Sequence, residues 1–342
     1  MTATIIRAGL FDGASGLCHS FAPFGKVVAI GARPMIINNG YARKHRALAV
    51  IDAAADGKSR MHLFAPKPRI PPIPITMMER HPKGAQCFVP LGGDGWLALV
   101  ADDDGAGAPG ALSAFGVCGD IGLCYDRNIW HFPLLALSGQ HFAVADNGDS
   151  DDLQEHYFDT IRWLMHSGGG AAKDKVWQTM EELGENGFMD MCGGIAEESP
   201  WVAKLVWQNR DTLASEADLA TAFALVILQA DDDRQLQLIR NHPPLATKIP
   251  LSAHSASEQN AAGLANLPAQ DDDIFAKLNG EYAARFGFPF VCAVGGLSAA
   301  DILAEIQRRT NNTAANAAIC ERGEALYQIF HIIRRRLSAL PL

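Results

Sequence analysis

The stretch Ser167-Gly168-Gly169-Gly170-Ala171-Ala172 divides the chain. Consecutive glycines disfavour helix and strand alike, because each loses the most backbone freedom on ordering and offers no side chain to pack. Residues 167–172 therefore read as a short flexible linker between a segment 1–166 and a segment 173–342. On the N-terminal side, short apolar runs at 86–91, 96–101 and 141–145 stand between clusters of Gly, Pro, Asp and Asn, the pattern of an all-β domain. On the C-terminal side the apolar residues recur at helical spacing, as in Phe275, Leu278, Tyr282 and Phe286, or Leu326, Ile329, Phe330, Ile333 and Leu337, so that half reads as all-helical. The expected fold class is thus multidomain, α and β, with the strands first.

The composition supports two ordinary cores. Of 342 residues, 48% are hydrophobic and 20% charged, as in globular protein. Lys and Arg total 29 against 38 Asp and Glu, a net charge of -9, which leaves no broad basic footprint for nucleic acid. The longest apolar stretch, 222–228, is far short of the roughly 20 residues of a membrane-spanning helix. With no basic region and apolar core at the N-terminus, a cytoplasmic protein without a signal peptide is expected. The cysteines number 7, with no C-x-x-C pair; an odd count fits reduced thiols better than a disulfide framework.

Three segments of the helical half could carry chemistry. In Ile239-Arg240-Asn241-His242-Pro243-Pro244-Leu245-Ala246, the prolines stop a helix that begins near Asp231 and leave His242 at its exposed end. A histidine there is more often a cap or surface residue than a catalyst. In Ser255-Ala256-Ser257-Glu258-Gln259-Asn260-Ala261-Ala262-Gly263-Leu264, Ser255 and Glu258 satisfy the capping-box spacing of a helix start. Phe286-Gly287-Phe288-Pro289-Phe290-Val291-Cys292-Ala293-Val294 is an apolar extended stretch of the kind usually buried in a core. Arg334-Arg335-Arg336 offers three cations. At about 100° per residue, the stripe from Leu326 to Leu337 puts Arg335 on the solvated face, with Arg334 and Arg336 flanking the buried one.

In order and wording these segments, with Gly193-Gly194-Ile195 and Glu198-Ser199-Pro200-Trp201, resemble the 2-oxo-4-hydroxy-4-carboxy-5-ureidoimidazoline (OHCU) decarboxylase family over roughly residues 176–340. The resemblance implies a helical bundle without metal or organic cofactor. It implies His242 as proton donor, Glu258 and Gln259 holding the ureido and ring edges, and Pro243 and Ser255 lining the pocket. It further implies that backbone groups of Phe290, Val291, Cys292, Ala293 and Val294 read the planar ring, and it selects Arg336 among the three arginines. One departure stands out: Pro244 occupies the place where the family usually has aspartate. Losing CO2 leaves electron density on the ring, which positioned donors stabilise and a proton then quenches on one face, giving (S)-allantoin.

The β half contains Phe21-Ala22-Pro23-Phe24-Gly25, Ile37-Asn38-Asn39-Gly40, Met78-Glu79-Arg80-His81-Pro82-Lys83-Gly84-Ala85-Gln86-Cys87-Phe88-Val89-Pro90-Leu91 and Tyr125-Asp126-Arg127-Asn128-Ile129-Trp130-His131-Phe132-Pro133-Leu134. These resemble ureidoglycolate lyase over about residues 21–158, which implies a cupin-like β-barrel that splits (S)-ureidoglycolate into glyoxylate and urea. That elimination needs a base for the hydroxyl proton, an acid for the departing nitrogen and cations for the carboxylate. His81, His131 and Arg127 are the catalytic candidates, and Arg80, Lys83, Asn38 and Tyr125 the substrate-binding ones. Each is ambiguous alone: Arg80 and Lys83 could be solvated loop charges, and a lone barrel histidine is more often a core residue. Glu79, His81, Gln86 and His131 are candidates for a divalent metal; the resemblance makes nickel the candidate ion, though nothing in the sequence selects it. The whole reads as a bifunctional enzyme of ureide catabolism acting on small-molecule ureides, expected to be a homodimer as both families commonly are. The alternative is one active domain, with the other a scaffold or ureide-binding regulatory module.

Overall fold

Along Gly93–Ala101, Trp96, Ala98 and Val100 alternate with Leu97, Leu99 and Ala101, and all six are buried. A strand apolar on both faces belongs in the interior of a covered sheet, and there it lies. The computed structural model describes every residue except 1–2, 10, 32, 47, 54–56, 149–150, 167–174, 211–212, 214, 248 and 341–342; the linker expected at 167–172 lies outside the described residues. Contacts group the chain into two units, one made of most of residues 5–166 and the other holding the helices from 175 onward.

In the first unit the larger sheet runs Thr4–Ala8, Gln154–His166, Ile73–Arg80, Trp130–His131, Gly93–Ala101, Ser113–Gly119, Phe11–Asp12, with Leu135–Ala136 also paired to Gly93–Ala101. The smaller runs Gly25–Val28, Gly122–Tyr125, Gln86–Pro90, Phe142–Asp146, Arg60–Phe64. A separate ribbon pairs Met35–Ile37 with Ala42–Lys44. The two main sheets curl so that their inner faces share one core: Trp96, Ala98, Val100 and Val117 from one meet Phe88, Leu123, Tyr125, Phe142 and Val144 from the other. Each fully buried side chain of this size contributes about 1.5–3 kcal/mol. Trp96 remains satisfied because its indole N–H donates to the Ile121 carbonyl at 3.1 Å. This is the expected cupin-like, all-β arrangement.

The second unit consists of Lys175–Cys192, Pro200–Gln208, Glu216–Gln229, Asp232–Asn241, Ala253–Ala261, Ala269–Phe286, Ala299–Thr310 and Ala317–Ser338. Ser215, Asp231, Ser252 and Ser298 cap their helices by accepting a backbone N–H. The last helix buries Leu326, Ile329, Phe330, Ile333 and Leu337 in its core stripe; Arg336 is buried beside it, while Arg335 is exposed. No described helix is long and apolar enough to cross a membrane.

Two local expectations are corrected. Ser255 and Glu258 do not form a capping box: the helix starts a turn earlier, at Ser252, whose hydroxyl accepts the Ser255 N–H. That places Ser255 and Glu258 inside the helix with their side chains available for other partners. His242 does cap its helix, yet it is only 5% exposed. Proline halts the helix, but the chain then folds back over its end, and the Pro244 carbonyl and Ala246 N–H both bond the amide of Gln259.

Candidate active sites

The fold-back makes a small pocket, with a cavity of about 30 Å³, lined by His242, Pro243, Ser255, Glu258, Gln259, Phe290, Val291, Cys292, Val294 and Arg336, among others. Arg336 organises its floor. Its guanidinium meets Glu258 through two bonds of 2.8 and 2.9 Å, Glu197 at 2.8 Å and the Ile195 carbonyl at 3.1 Å. Ser255 donates its hydroxyl to Glu197 at 2.9 Å. Burial pushes the Glu197 carboxyl up, but hydrogen bonds from Ser252, Arg336 and Ser255 and the Arg336 charge outweigh it and hold the group below the usual carboxylate range. Two carboxylates thus share one guanidinium.

His242 stands over this floor. Its Nδ1 lies 2.8 Å from the Leu238 carbonyl; a carbonyl only accepts, so Nδ1 carries the proton and Nε2 presents a lone pair. Nε2 is buried without a hydrogen-bond partner and its residue lines the pocket, so it is free to bond a group that enters there. Burial drives the imidazole pKa down, against the carboxylates nearby, so the free protein holds it neutral. A proton donor at this position must therefore first acquire its proton.

Of the groups expected to touch substrate, some are already engaged. The Gln259 amide holds the Pro244–Ala246 loop, and the Ala293 N–H donates to Gln328. Glu197 was missed by sequence reasoning. It sits next to the quoted Glu198-Ser199-Pro200-Trp201 run, and nothing in its spacing distinguishes it from a solvated helix-entry charge; its left-handed backbone, φ 23°, appears only in three dimensions.

In the β half, strand register assembles the second site. His131 pairs with Glu79 on one neighbour and Val100 on the other, so its side chain shares their inward face. One oxygen of Glu79 lies 3.6 Å from His131 Nε2, and the His81 and His131 rings stack at 5.4 Å. Ligand atoms of Glu79, His81 and His131 all lie within 4.8 Å of one another. Both histidines direct Nδ1 at a backbone carbonyl, His81 at Asp152 (2.6 Å) and His131 at Ile129 (3.0 Å), which leaves both Nε2 lone pairs for the shared space. That second bond is the usual support of a metal-binding histidine. Burial, aided by Glu155, raises Glu79 to about 7, and burial lowers His131 to about 3; a cation between them would reverse the first shift. The donor set fits a divalent ion.

Tyr125 closes the site, its ring 4.8 Å from that of His131. Gln86 lies directly across from Tyr125 in register and so shares its face, with Oε1 buried and unpartnered. The expected cations are elsewhere. Arg80 alternates with Glu79 and points to the opposite face, over Trp130 and onto Gln154 and Asp103. Lys83 pairs with Asp151, and Arg127, 62% exposed, with Asp52. Asn38 sits in the exposed turn of the separate ribbon. None of these four is brought to the Glu79, His81 and His131 cluster.

A family model described as ureidoglycolate lyase matches residues 17–165, and one described as OHCU decarboxylase matches residues 181–338. A ureidoglycolate lyase of Brucella melitensis biotype 2 is 45% identical over 153 residues, covering 44% of this chain and 90% of the relative. One from Agrobacterium fabrum is 42% identical over 145 residues, covering 41% and 87%. Among solved structures, an OHCU decarboxylase in the presence of (S)-allantoin aligns at TM-score 0.35 and 22% identity over 45% of this chain and 96% of that one. An (S)-allantoin synthase aligns at TM-score 0.39 and 24% identity over 48% of this chain and 54%, about half, of that one.

Proposed function

The chain belongs to the ureidoglycolate lyase family through residues 17–165 and carries an OHCU decarboxylase segment over residues 181–338, and from that premise we propose that it catalyses two reactions of ureide catabolism at two separate sites. One splits (S)-ureidoglycolate into glyoxylate and urea, and the other decarboxylates OHCU to (S)-allantoin. One observation carries this reading. Each half buries a histidine, His131 or His242, whose Nδ1 is committed to a backbone carbonyl and whose Nε2 has no hydrogen-bond partner.

In the helical half, Glu258 is 30% exposed where Glu197 is 2%. An incoming substrate carboxylate exchanges with Glu258 for the Arg336 guanidinium, while Glu197 and Ser255 keep the arginine in place. The released Glu258 accepts from the ureido N–H groups. Neutral His242 takes the substrate's hydroxyl proton at Nε2 as CO2 leaves and the C–C electron pair moves into the ring, whose imine nitrogen takes a proton from water; His242 then returns its proton to the ring carbon on the face it borders. One-sided delivery gives one enantiomer.

In the β half, Glu79, His81 and His131 would hold a divalent ion, nickel being the candidate. When bound, the ion supplies the positive charge that an anionic substrate needs and that Arg80, Lys83 and Arg127 spend elsewhere. Burial holds the Tyr125 hydroxyl above its ordinary pKa, so it stays protonated; it gives its proton to the departing urea nitrogen and regains one from the substrate's hydroxyl as the glyoxylate carbonyl forms. Gln86 Oε1 accepts from the ureido group. The two reactions are not consecutive, so fusion serves joint expression rather than passage of an intermediate. The test is to assay the full chain for glyoxylate from ureidoglycolate and, by circular dichroism, for (S)-allantoin from freshly made urate oxidation product. Silence in either assay leaves that half as a binding or scaffold domain.

A further inference from the structure

Two hydrogen bonds pin the apolar segment that walls the helical pocket. The Val291 carbonyl accepts from Arg309 Nη1 at 2.8 Å, and the Ala293 N–H donates to Gln328 Oε1 at 2.9 Å. A trans peptide is planar, and its C=O and N–H point in opposite directions; among the described residues the cis bond is Pro71-Pro72, far from here. The Cys292 N–H shares a peptide unit with the Val291 carbonyl and so points away from Arg309. The Cys292 carbonyl shares a unit with the Ala293 N–H and so points away from Gln328. Cys292 is 6% exposed and borders the pocket with His242, Glu258 and Arg336. Among the described residues neither backbone group has a hydrogen-bond partner, a rarity for buried main chain.

The pins are built to stay where they are. Arg309 is fully buried, bonded through Nε to Glu321 at 2.8 Å and through Nη2 to the Tyr282 hydroxyl at 3.0 Å, with its guanidinium 4.7 Å from the Phe290 ring centre. Tyr282 and Asn312 both donate to Glu321 as well. The Gln328 amide is oriented by its Nε2, which donates to Glu324 at 2.8 Å. A buried ion pair adds little stability over apolar packing of the same shape, so the fixed position of the Val291 carbonyl is the evident return on burying Arg309. Neither Arg309 nor Gln328 lines the pocket itself.

We propose that Arg309 and Gln328 are positioning residues which hold the Cys292 N–H and C=O ready, one donor and one acceptor, for the amide edge of a five-membered cyclic ureide. The inference rests on the decarboxylase reading of this half. Substrate selection then lies partly in main chain, and side chains remote from the substrate set it.

The test uses the full chain, with Gln328→Met and Arg309→Met, and hydantoin against 1,3-dimethylhydantoin as probes, the second lacking every ring N–H. Wild type should prefer hydantoin. Gln328→Met should weaken hydantoin binding roughly threefold to tenfold, the worth of one neutral hydrogen bond. It should raise KM for decarboxylation by a similar factor, and leave kcat, Tm and dimethylhydantoin binding near wild type. Arg309→Met should do the same where it folds, and Gln328→Met carries the test where it does not. Absence of preference in active wild type, or an unchanged preference in Gln328→Met, overturns the proposal. So does an equal loss for both probes accompanied by a fall in Tm, which marks a purely structural role. A wild-type chain that fails to decarboxylate overturns the reading beneath it and is recognised separately.

Discussion

Replacing Arg336 with methionine would keep most of the side-chain volume and remove the one cation between Glu197 and Glu258. Glu197 is 2% exposed and would be left as a carboxylate with the Ser252 and Ser255 hydroxyls but without its guanidinium partner. Breaking a buried pair in this way costs about 3–5 kcal/mol. Set against a typical domain stability of about 5–15 kcal/mol, that is a large share. For a domain of this size it corresponds to a fall in Tm of roughly 6–20 °C, to be read from thermal melts followed at the helical circular dichroism band. The cause is separable from the loss of the side chain: adding Glu197→Gln and Glu258→Gln to Arg336→Met removes the stranded charges and should recover most of the lost stability while leaving decarboxylation dead. A single variant as stable as wild type would refute the idea that Arg336 neutralises its neighbours. A triple variant no more stable than the single would refute the electrostatic origin of the loss.

Acid should weaken the helical half through His242. Its folded pKa lies below the ordinary 6.5, so the unfolded chain binds the proton more tightly and stability falls as pH drops below about 6.5. Urea midpoints at pH 7 and pH 5 should therefore differ less for His242→Gln than for wild type; equal slopes would contradict a buried neutral imidazole. Chelation with EDTA should abolish glyoxylate formation, spare allantoin formation, and be reversed by a divalent ion; full lyase activity in metal-free protein would remove the ion from Glu79, His81 and His131. Residues 1–166 and 173–342 expressed apart should give β-rich and helix-rich spectra respectively, and a helical N-terminal piece would contradict the division. Arg127→Ala should cost no more than about 1 kcal/mol of stability, since an exposed pair is worth little, and its effect on glyoxylate formation distinguishes a surface pair from a substrate clamp.

Periodicity made the fold classes legible, because strand and helix impose different spacings on apolar residues and the two halves use one each. Residue types in the sites were legible too, through motif wording. What spacing could not convey was direction. Glu79, Arg80 and His81 read as a run of polar groups, yet strand alternation sends Arg80 to the face opposite its neighbours. His242 looked exposed because proline ends its helix, and only the return of the chain onto Gln259 buries it. Ser255 mimicked a cap because Ser252, which does the capping, lies three residues earlier on the same face. Glu197 gave no signal at all, since its partner Arg336 is remote in sequence and the pairing is tertiary.

The most direct measurement compares His131→Ala and His242→Ala in the full chain, each assayed for glyoxylate release and for (S)-allantoin formation. Separate sites require a crossed result: His131→Ala loses the first activity and keeps the second, and His242→Ala slows the second by roughly 10²–10⁴, the usual worth of positioned acid–base catalysis, while keeping the first. Loss of both activities in either folded variant would contradict two independent sites in one chain.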